Sequence, residues 1–230
     1  VYLQRAYKEA KFPKPRNVIG MQKDLPVAEM EKLMLTNQPA SDEEVRQLAL
    51  RRAEVVQGWL VEQGKVPPER VFLSASTSEA YAFLFKLLAD PGDQILVPRP
   101  GYPLFDFLAT LESVEVESYP LSWDGAWHLD VAALRSLVGP RTRAVVVVNP
   151  HNPTGAFLKQ DELAALQELC SERALALISD EVFADYALRD DPLRAPSVAT
   201  DGPALAFALG GLSKSCGLPQ LKLAWTAVSG

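Results

Sequence analysis

The 230-residue sequence predicts an α/β fold: a mostly parallel sheet with helices on both faces, preceded by a helical N-terminal segment. From about Val71 onward, short runs rich in β-branched and apolar residues alternate with helix-period patterns. One of these runs, Val145 to Val148, is apolar at every position, as a strand covered on both faces must be. Residues 1 to 70 differ in showing helical patterns without strands.

In chain order, Ala28 to Leu35 and then about Glu43 to Gln63 read as helices. Ser41, followed three residues later by Glu44, forms a capping box in which hydroxyl and carboxylate each satisfy a backbone amide of the other residue. Leu48, Val55, Val56, Trp59 and Leu60 give the longer helix an apolar stripe, and Pro13, Pro15, Pro67 and Pro68 punctuate the region. Strands are predicted at Gln94 to Pro98, Val114 to Tyr119, Arg143 to Val148, Leu175 to Ser179 and Ala204 to Leu209. Between them, helices are predicted at Thr77 to Ala89, Tyr102 to Leu111, Val131 to Leu137 and Gln160 to Arg173, set apart by turn signals such as Asp90-Pro91-Gly92-Asp93. The sequence shows no internal repeat and no low-complexity tract.

A hydrophobic content of 48% suits one substantial core. With 23 Lys and Arg against 29 Asp and Glu, the net charge of -6 has the wrong sign for a nucleic-acid partner. Cys170 and Cys216 lie far apart without metal-ligand spacing, which predicts neither a disulfide framework nor a zinc site and suits a reducing cytoplasm. His151 reads as a loop histidine and His128 as part of a strand-to-helix turn, so no metal site is expected. The longest apolar stretches have strand length, and Val1 to Arg5 lacks the apolar core of a signal peptide, so neither a membrane span nor export is expected.

Three strand ends carry the chemistry. Asn149-Pro150-His151-Asn152-Pro153-Thr154-Gly155 follows the strand ending at Val148, and the carboxyl edge of an open α/β sheet is where ligands bind. Ser179-Asp180-Glu181-Val182-Phe183 puts a carboxylate at the next strand end, although a lone strand-end Asp also serves as a helix cap. Gly210-Gly211-Leu212-Ser213-Lys214-Ser215-Cys216-Gly217-Leu218-Pro219 reads as a small-residue loop with one lysine, which by itself could be a solvated charge. The combination of amide, acid and amine in this order is what points to a cofactor site.

With Ala75-Ser76-Thr77-Ser78-Glu79-Ala80, Asp90-Pro91-Gly92-Asp93, Pro98-Arg99-Pro100-Gly101-Tyr102-Pro103, Asn152-Pro153-Thr154-Gly155, Asp180-Glu181-Val182 and Ser213-Lys214 in order, residues 71–230 resemble the fold-type I pyridoxal-phosphate aminotransferases of class I and II. The resemblance implies amino-group transfer between an amino acid and a 2-oxo acid, with pyridoxal 5'-phosphate held as a Schiff base on Lys214. It further implies that Lys214 shuttles a proton, that Asp180 pairs with the pyridine nitrogen, that Asn152 donates to the ring oxygen and that Tyr102 stacks on the ring. Ser76, Thr77 and Ser78 at a helix start, with Ser213 and Lys222, would bind the phosphate, Ser76 serving also as an N-cap. Lys222 stands where the family usually has arginine, a point charge in place of a bidentate clamp. Phe183 stands where a tyrosine is common, and Gly211 where many members have a phosphate-binding serine.

The resemblance also implies a homodimer in the intact family, and a smaller C-terminal domain, absent from this sequence, that supplies the arginine for the substrate carboxylate. Residues 1–70 lack the family's usual opening. Leu50 to Leu60, with Gly64 and Arg70-Val71, look instead like the closing helix and strand of an OmpA-like domain, and together with Pro13 to Asn17 they are similar to the tail of bacterial AsmA-like envelope proteins. A foreign N-terminal segment joined near Val71 to Ser74 is therefore expected. Two other functions stay open on the sequence: a cofactor-binding fragment without activity, and an envelope interaction protein led by residues 1–70.

Overall fold

The computed structural model describes residues 2–17, 20–37, 41–63, 65–188, 190–200 and 202–230; Val1 and Gly64, both quoted above, lie outside them. The chain divides into two compact units, Val1–Arg51 and Arg52–Gly230. The first holds helices α1 (Tyr2–Glu9) and α2 (Val27–Asn37) and the start of α3 (Asp42–Glu62). Tyr7, Leu25 and Met30 form its small buried cluster, with Phe12, Leu33 and Met34 packed against it. At the head of α3 the capping box forms: Ser41 Oγ accepts from Glu44 N at 3.2 Å, and the Glu44 carboxylate accepts from Ser41 N at 2.9 Å.

The second unit continues through β1 (Val71–Ser74), α4 (Thr77–Leu88), β2 (Gln94–Arg99), α5 (Leu104–Leu111), β3 (Glu115–Trp123), β4 (Trp127–Leu129) and α6 (Val131–Leu137). Then come β5 (Thr142–Val148), α7 (Gln160–Arg173), β6 (Ala176–Asp180), β7 (Ala206–Gly211), α8 (Leu212–Ser215) and β8 (Ala224–Ser229). Among the described residues, eight strands form one sheet in the order β1-β8-β7-β6-β5-β2-β3-β4. The run β7-β6-β5-β2-β3 is parallel throughout, whereas β8 is antiparallel to β1 and β7, and β4 to β3.

Side-chain alternation along β5 explains the two-faced core. Ala144, Val146 and Val148 enter one cluster with Leu84 and Phe85 of α4 and Phe105 of α5. Val145 and Val147 enter the other with Leu163, Leu166 and Leu169 of α7. Each such apolar side chain contributes about 1.5–3 kcal/mol on burial, so the predicted helix-covered parallel sheet is what the pattern selects.

Several expectations differ in detail. The short strands β1 and β4 at the sheet edges, β8 and helix α1 were not foreseen, and His128 lies on β4, not in a turn. Strands this short form because hydrogen-bonding neighbours fix them, which local propensity does not encode. Of the α3 stripe, Leu60 is buried and Val56 packs on the core, while Val55 and Trp59 are exposed, so the stripe is wider than the face that packs. Glycines 210 and 211 extend β7, and Lys214 sits in the one-turn helix α8 instead of an open loop.

Gly210 pairs with Trp225 across β7 and β8, and a Cβ there would fall 2.4 Å from the indole. Gly210→Ala should therefore cost about 1–3 kcal/mol through overpacking, read as a lowered urea midpoint. At Gly211 the nearest atom would be Ala224 Cβ at 3.2 Å, so Gly211→Ala should cost clearly less.

Candidate active site

The carboxyl ends of β5, β6 and β7 lie side by side, with Val148 opposite Asp180 and Asp180 opposite Leu209. Neighbouring strands are spaced about 4.8 Å apart, so groups leaving these three ends start within roughly 10 Å of one another. The ladder runs on beyond the strands: Asn149 N donates to the Asp180 carbonyl and Glu181 N to the Leu209 carbonyl, both at 2.8 Å. Above this edge opens a cavity of about 300 Å³. Its wall includes every residue singled out from the sequence: Ser76, Thr77, Ser78, Tyr102, Asn152, Asp180, Phe183, Ser213, Lys214 and Lys222.

Asp180 ends β6 with one donor on each carboxylate oxygen, Val182 N at 3.2 Å on Oδ1 and the Tyr81 hydroxyl at 3.2 Å on Oδ2. Burial pushes its pKa up to about 6, against the pull of these donors and of nearby Lys214. Glu181, next in the chain, is not on the cavity wall and accepts from Val198 N at 3.0 Å, which anchors the segment after β6.

Lys214 is exposed, with Nζ 5.8 Å from the centroid of the Phe183 ring. Its own carbonyl accepts the Tyr186 hydroxyl at 2.6 Å, and Ser215 Oγ donates to the Gly211 carbonyl at 3.0 Å, so the lysine turn is tied at both ends. Asn152 precedes a cis peptide to Pro153, in a turn closed by Gly155 at φ +73°, where a side chain would be strained.

At the start of α4, Ser76 Oγ accepts from Glu79 N at 3.2 Å, the N-cap foreseen from the sequence. The first turn leaves backbone amides that no preceding helical carbonyl can accept. Tyr102 lies in the loop before α5, edge-on to Phe105 at 6.4 Å. Lys222 takes left-handed backbone angles, φ 50° and ψ 53°, at the end of a short 3-10 turn.

A second cavity of about 570 Å³ shares Asn152 and Phe183 with the first, and the Lys159–Asp191 ion pair lies on its wall. His151 borders it, buried, with Nδ1 2.9 Å from Thr154 Oγ1 and its pKa lowered by that burial.

Sequence reasoning missed Tyr81 and Tyr186. Tyr81 is four residues after Thr77, hence on the same helix face, and that spacing was the available signal. Tyr186 gave none, since its partner is a backbone carbonyl 28 residues away.

The profile of the family described as aminotransferase class I and II matches residues 7–230. Nicotianamine aminotransferase A of Hordeum vulgare is 34% identical over 165 residues, 71% of this chain and 36% of that protein. Alanine aminotransferase of Mycobacterium bovis is 33% identical over 187 residues, 80% of this chain and 42% of that protein. Among solved structures, N-succinyldiaminopimelate aminotransferase from Mycobacterium tuberculosis superposes with a TM-score of 0.67 at 31% identity, covering 87% of this chain and 52% of that one. The chain thus spans less than half the length of these curated relatives. The family match crosses the junction expected near Val71 to Ser74, and the envelope-protein likeness of residues 1–70 finds no support. From its sequence profile, its sheet and its relatives alike, the chain belongs to the aminotransferase class I and II family.

Proposed function

We propose that the cavity holds pyridoxal 5'-phosphate and that the protein transfers an amino group between an amino acid and a 2-oxo acid. One observation supports this above the rest: an amine, an acid and an amide chosen from three separate strand ends share one cavity wall. The donor set fits the cofactor. Hydroxyls of Ser76, Thr77, Ser78 and Ser213, the ammonium of Lys222 and the α4 N-terminus suit a phosphate, and Phe183 and Tyr102 suit an aromatic ring. In this reading residues 71–230 carry the cofactor site and residues 1–70 are a helical N-terminal segment, of which Val56 and Leu60 pack on the core of the second unit.

When bound, the cofactor supplies an aldehyde that takes up amino groups and a protonated ring that accepts electrons from the substrate carbon. The roles of the chain's own residues follow from their chemistry. Lys214 Nζ would hold the aldehyde carbon, with loss of water, and once displaced by the substrate amine would be the base that moves a proton at the substrate carbon. Asp180 keeps the proton on the ring nitrogen by its negative charge. The Asn152 amide would donate to the ring oxygen, and Tyr102 would cover a ring face. Phe183 has no hydroxyl to add to the Asn152 donor.

A homodimer belongs to the same reading, supported by exposed apolar side chains on the touching helices α4 (Phe83, Leu87) and α5 (Phe107, Leu111). The net charge of -6 supports small-molecule substrates over nucleic acid, and free Cys170 and Cys216 support a cytoplasmic location. Among the described residues, no helix is long and apolar enough to cross a membrane.

Incubation with pyridoxal phosphate, borohydride reduction and peptide mass mapping should label Lys214 in most molecules, and Lys214→Ala should carry only background label. Label spread over other lysines at the same level would sink the enzymatic reading.

Cofactor affinity should fall as pH drops through about 6, where Asp180 takes up a proton and loses the charge that the ring nitrogen needs. Below that point the loss approaches about tenfold per pH unit. The cofactor phosphate also titrates near pH 6, so the Asp180→Asn variant, which keeps that contribution alone, serves as the reference in absorbance titrations.

Lys222→Arg should tighten cofactor binding by roughly fivefold, about 1 kcal/mol, because a planar fork can hold two phosphate oxygens where an ammonium offers a point charge. Unchanged dissociation constants would place Lys222 outside the phosphate site.

A further inference from the structure

We propose that Tyr81 is a positioning residue for the reaction, its buried hydroxyl orienting the Asp180 carboxylate and holding it in the ionised form. This rests on the reading of Asp180 as the partner of the ring nitrogen. Tyr81 and Asp180 are 99 residues apart in sequence, on α4 and at the end of β6, and both line the cavity. The tyrosine is 2% exposed, with its ring edge-on to Phe105 at 5.3 Å and tilted against Phe85 at 5.8 Å, so the hydroxyl is aimed by packing.

Burial and the neighbouring carboxylate push the phenol's pKa well above its ordinary value, so the Tyr81 hydroxyl keeps its proton and donates it to the ionised Asp180 carboxylate. Val182 N holds the other oxygen, and the two donors together fix the carboxylate plane. The other charges acting on Asp180 are Glu181, its chain neighbour, which disfavours ionisation, and Lys214 from α8, which favours it; Tyr119 acts on the Tyr81 phenol. The sheet buries this carboxylate, and burial alone would leave it substantially protonated; the Tyr81 donor opposes that. Loss of the hydroxyl would leave an acid that protonates more readily and turns more freely.

Tyr81→Phe keeps the ring and removes the hydrogen bond. In the cofactor-free protein, ¹³C NMR of the Asp180 carboxyl, assigned with Asp180→Asn, should show the titration midpoint rise by about one unit in the variant. Binding of pyridoxal phosphate and of its 1-deaza analogue, which has carbon in place of the ring nitrogen, provides the second readout. The wild-type protein should prefer pyridoxal phosphate, and at about pH 5, below both midpoints, Tyr81→Phe should shrink that preference by about tenfold with the analogue's affinity unchanged.

An unshifted midpoint overturns the proposal, as does an equal loss of affinity for both probes, which would make Tyr81 a packing residue. A wild-type protein without preference overturns the reading of Asp180 and this proposal with it, while the titration still reports whether the hydroxyl acts on the carboxylate. Should Tyr81→Phe fail to fold, Tyr81→Met, also apolar and without a hydroxyl, takes its place in both measurements.

Discussion

Parallel hydrogen bonding among β5, β6 and β7 sets where chemically unlike side chains can meet. Parallel strands cannot be joined by tight turns, so the chain must leave each carboxyl end, cross a face of the sheet and return. Each departure places a loop at the same edge, and the register that sets Val148 against Asp180 and Asp180 against Leu209 aligns the three departures. The Asn152 turn, the Asp180 carboxylate and the Lys214 turn therefore share a cavity wall although they are spread over more than sixty residues of sequence. The two-faced apolar core holds that register, because a one-residue slip of β5 would exchange Val145 and Val147 with Ala144, Val146 and Val148 between its two clusters.

Fixing an acid at this edge works against the stability of the fold. Asp180 has a folded pKa raised above the usual carboxylate range, so its contribution favours the folded state at low pH and is lost as pH rises through about 6. At neutral pH the sheet carries a partly buried carboxylate held by two neutral donors, an arrangement that structural needs alone do not call for. A positively charged ligand group beside it would relieve that tension.

Two residues beside the lysine turn are closely surrounded. Gly211 faces Ala224 across β7 and β8 so closely that a Cβ would come within 3.2 Å of the alanine methyl. Phe183 packs edge-on against Tyr186, whose hydroxyl bonds the Lys214 carbonyl. The aromatic pair thus supports the lysine turn, with its one hydroxyl spent on the backbone.

The sequence by itself determined the helix-covered parallel sheet, because the unbroken apolar run of β5 and helical periodicity in α4 and α7 are local patterns that burial converts directly into layers. It also marked three strand ends as a ligand edge, and the family resemblance added the rest of the ten candidate residues, which share one cavity wall. Tertiary structure alone decided the short edge strands, the exposure of Val55 and Trp59, the extension of β7 through its two glycines and the partners of Tyr81 and Tyr186. These depend on which surfaces meet across the sheet. Periodicity says that a residue such as Tyr81 turns inward, but only the packed sheet brings Asp180, from a strand 99 residues further on, to the end of its hydroxyl.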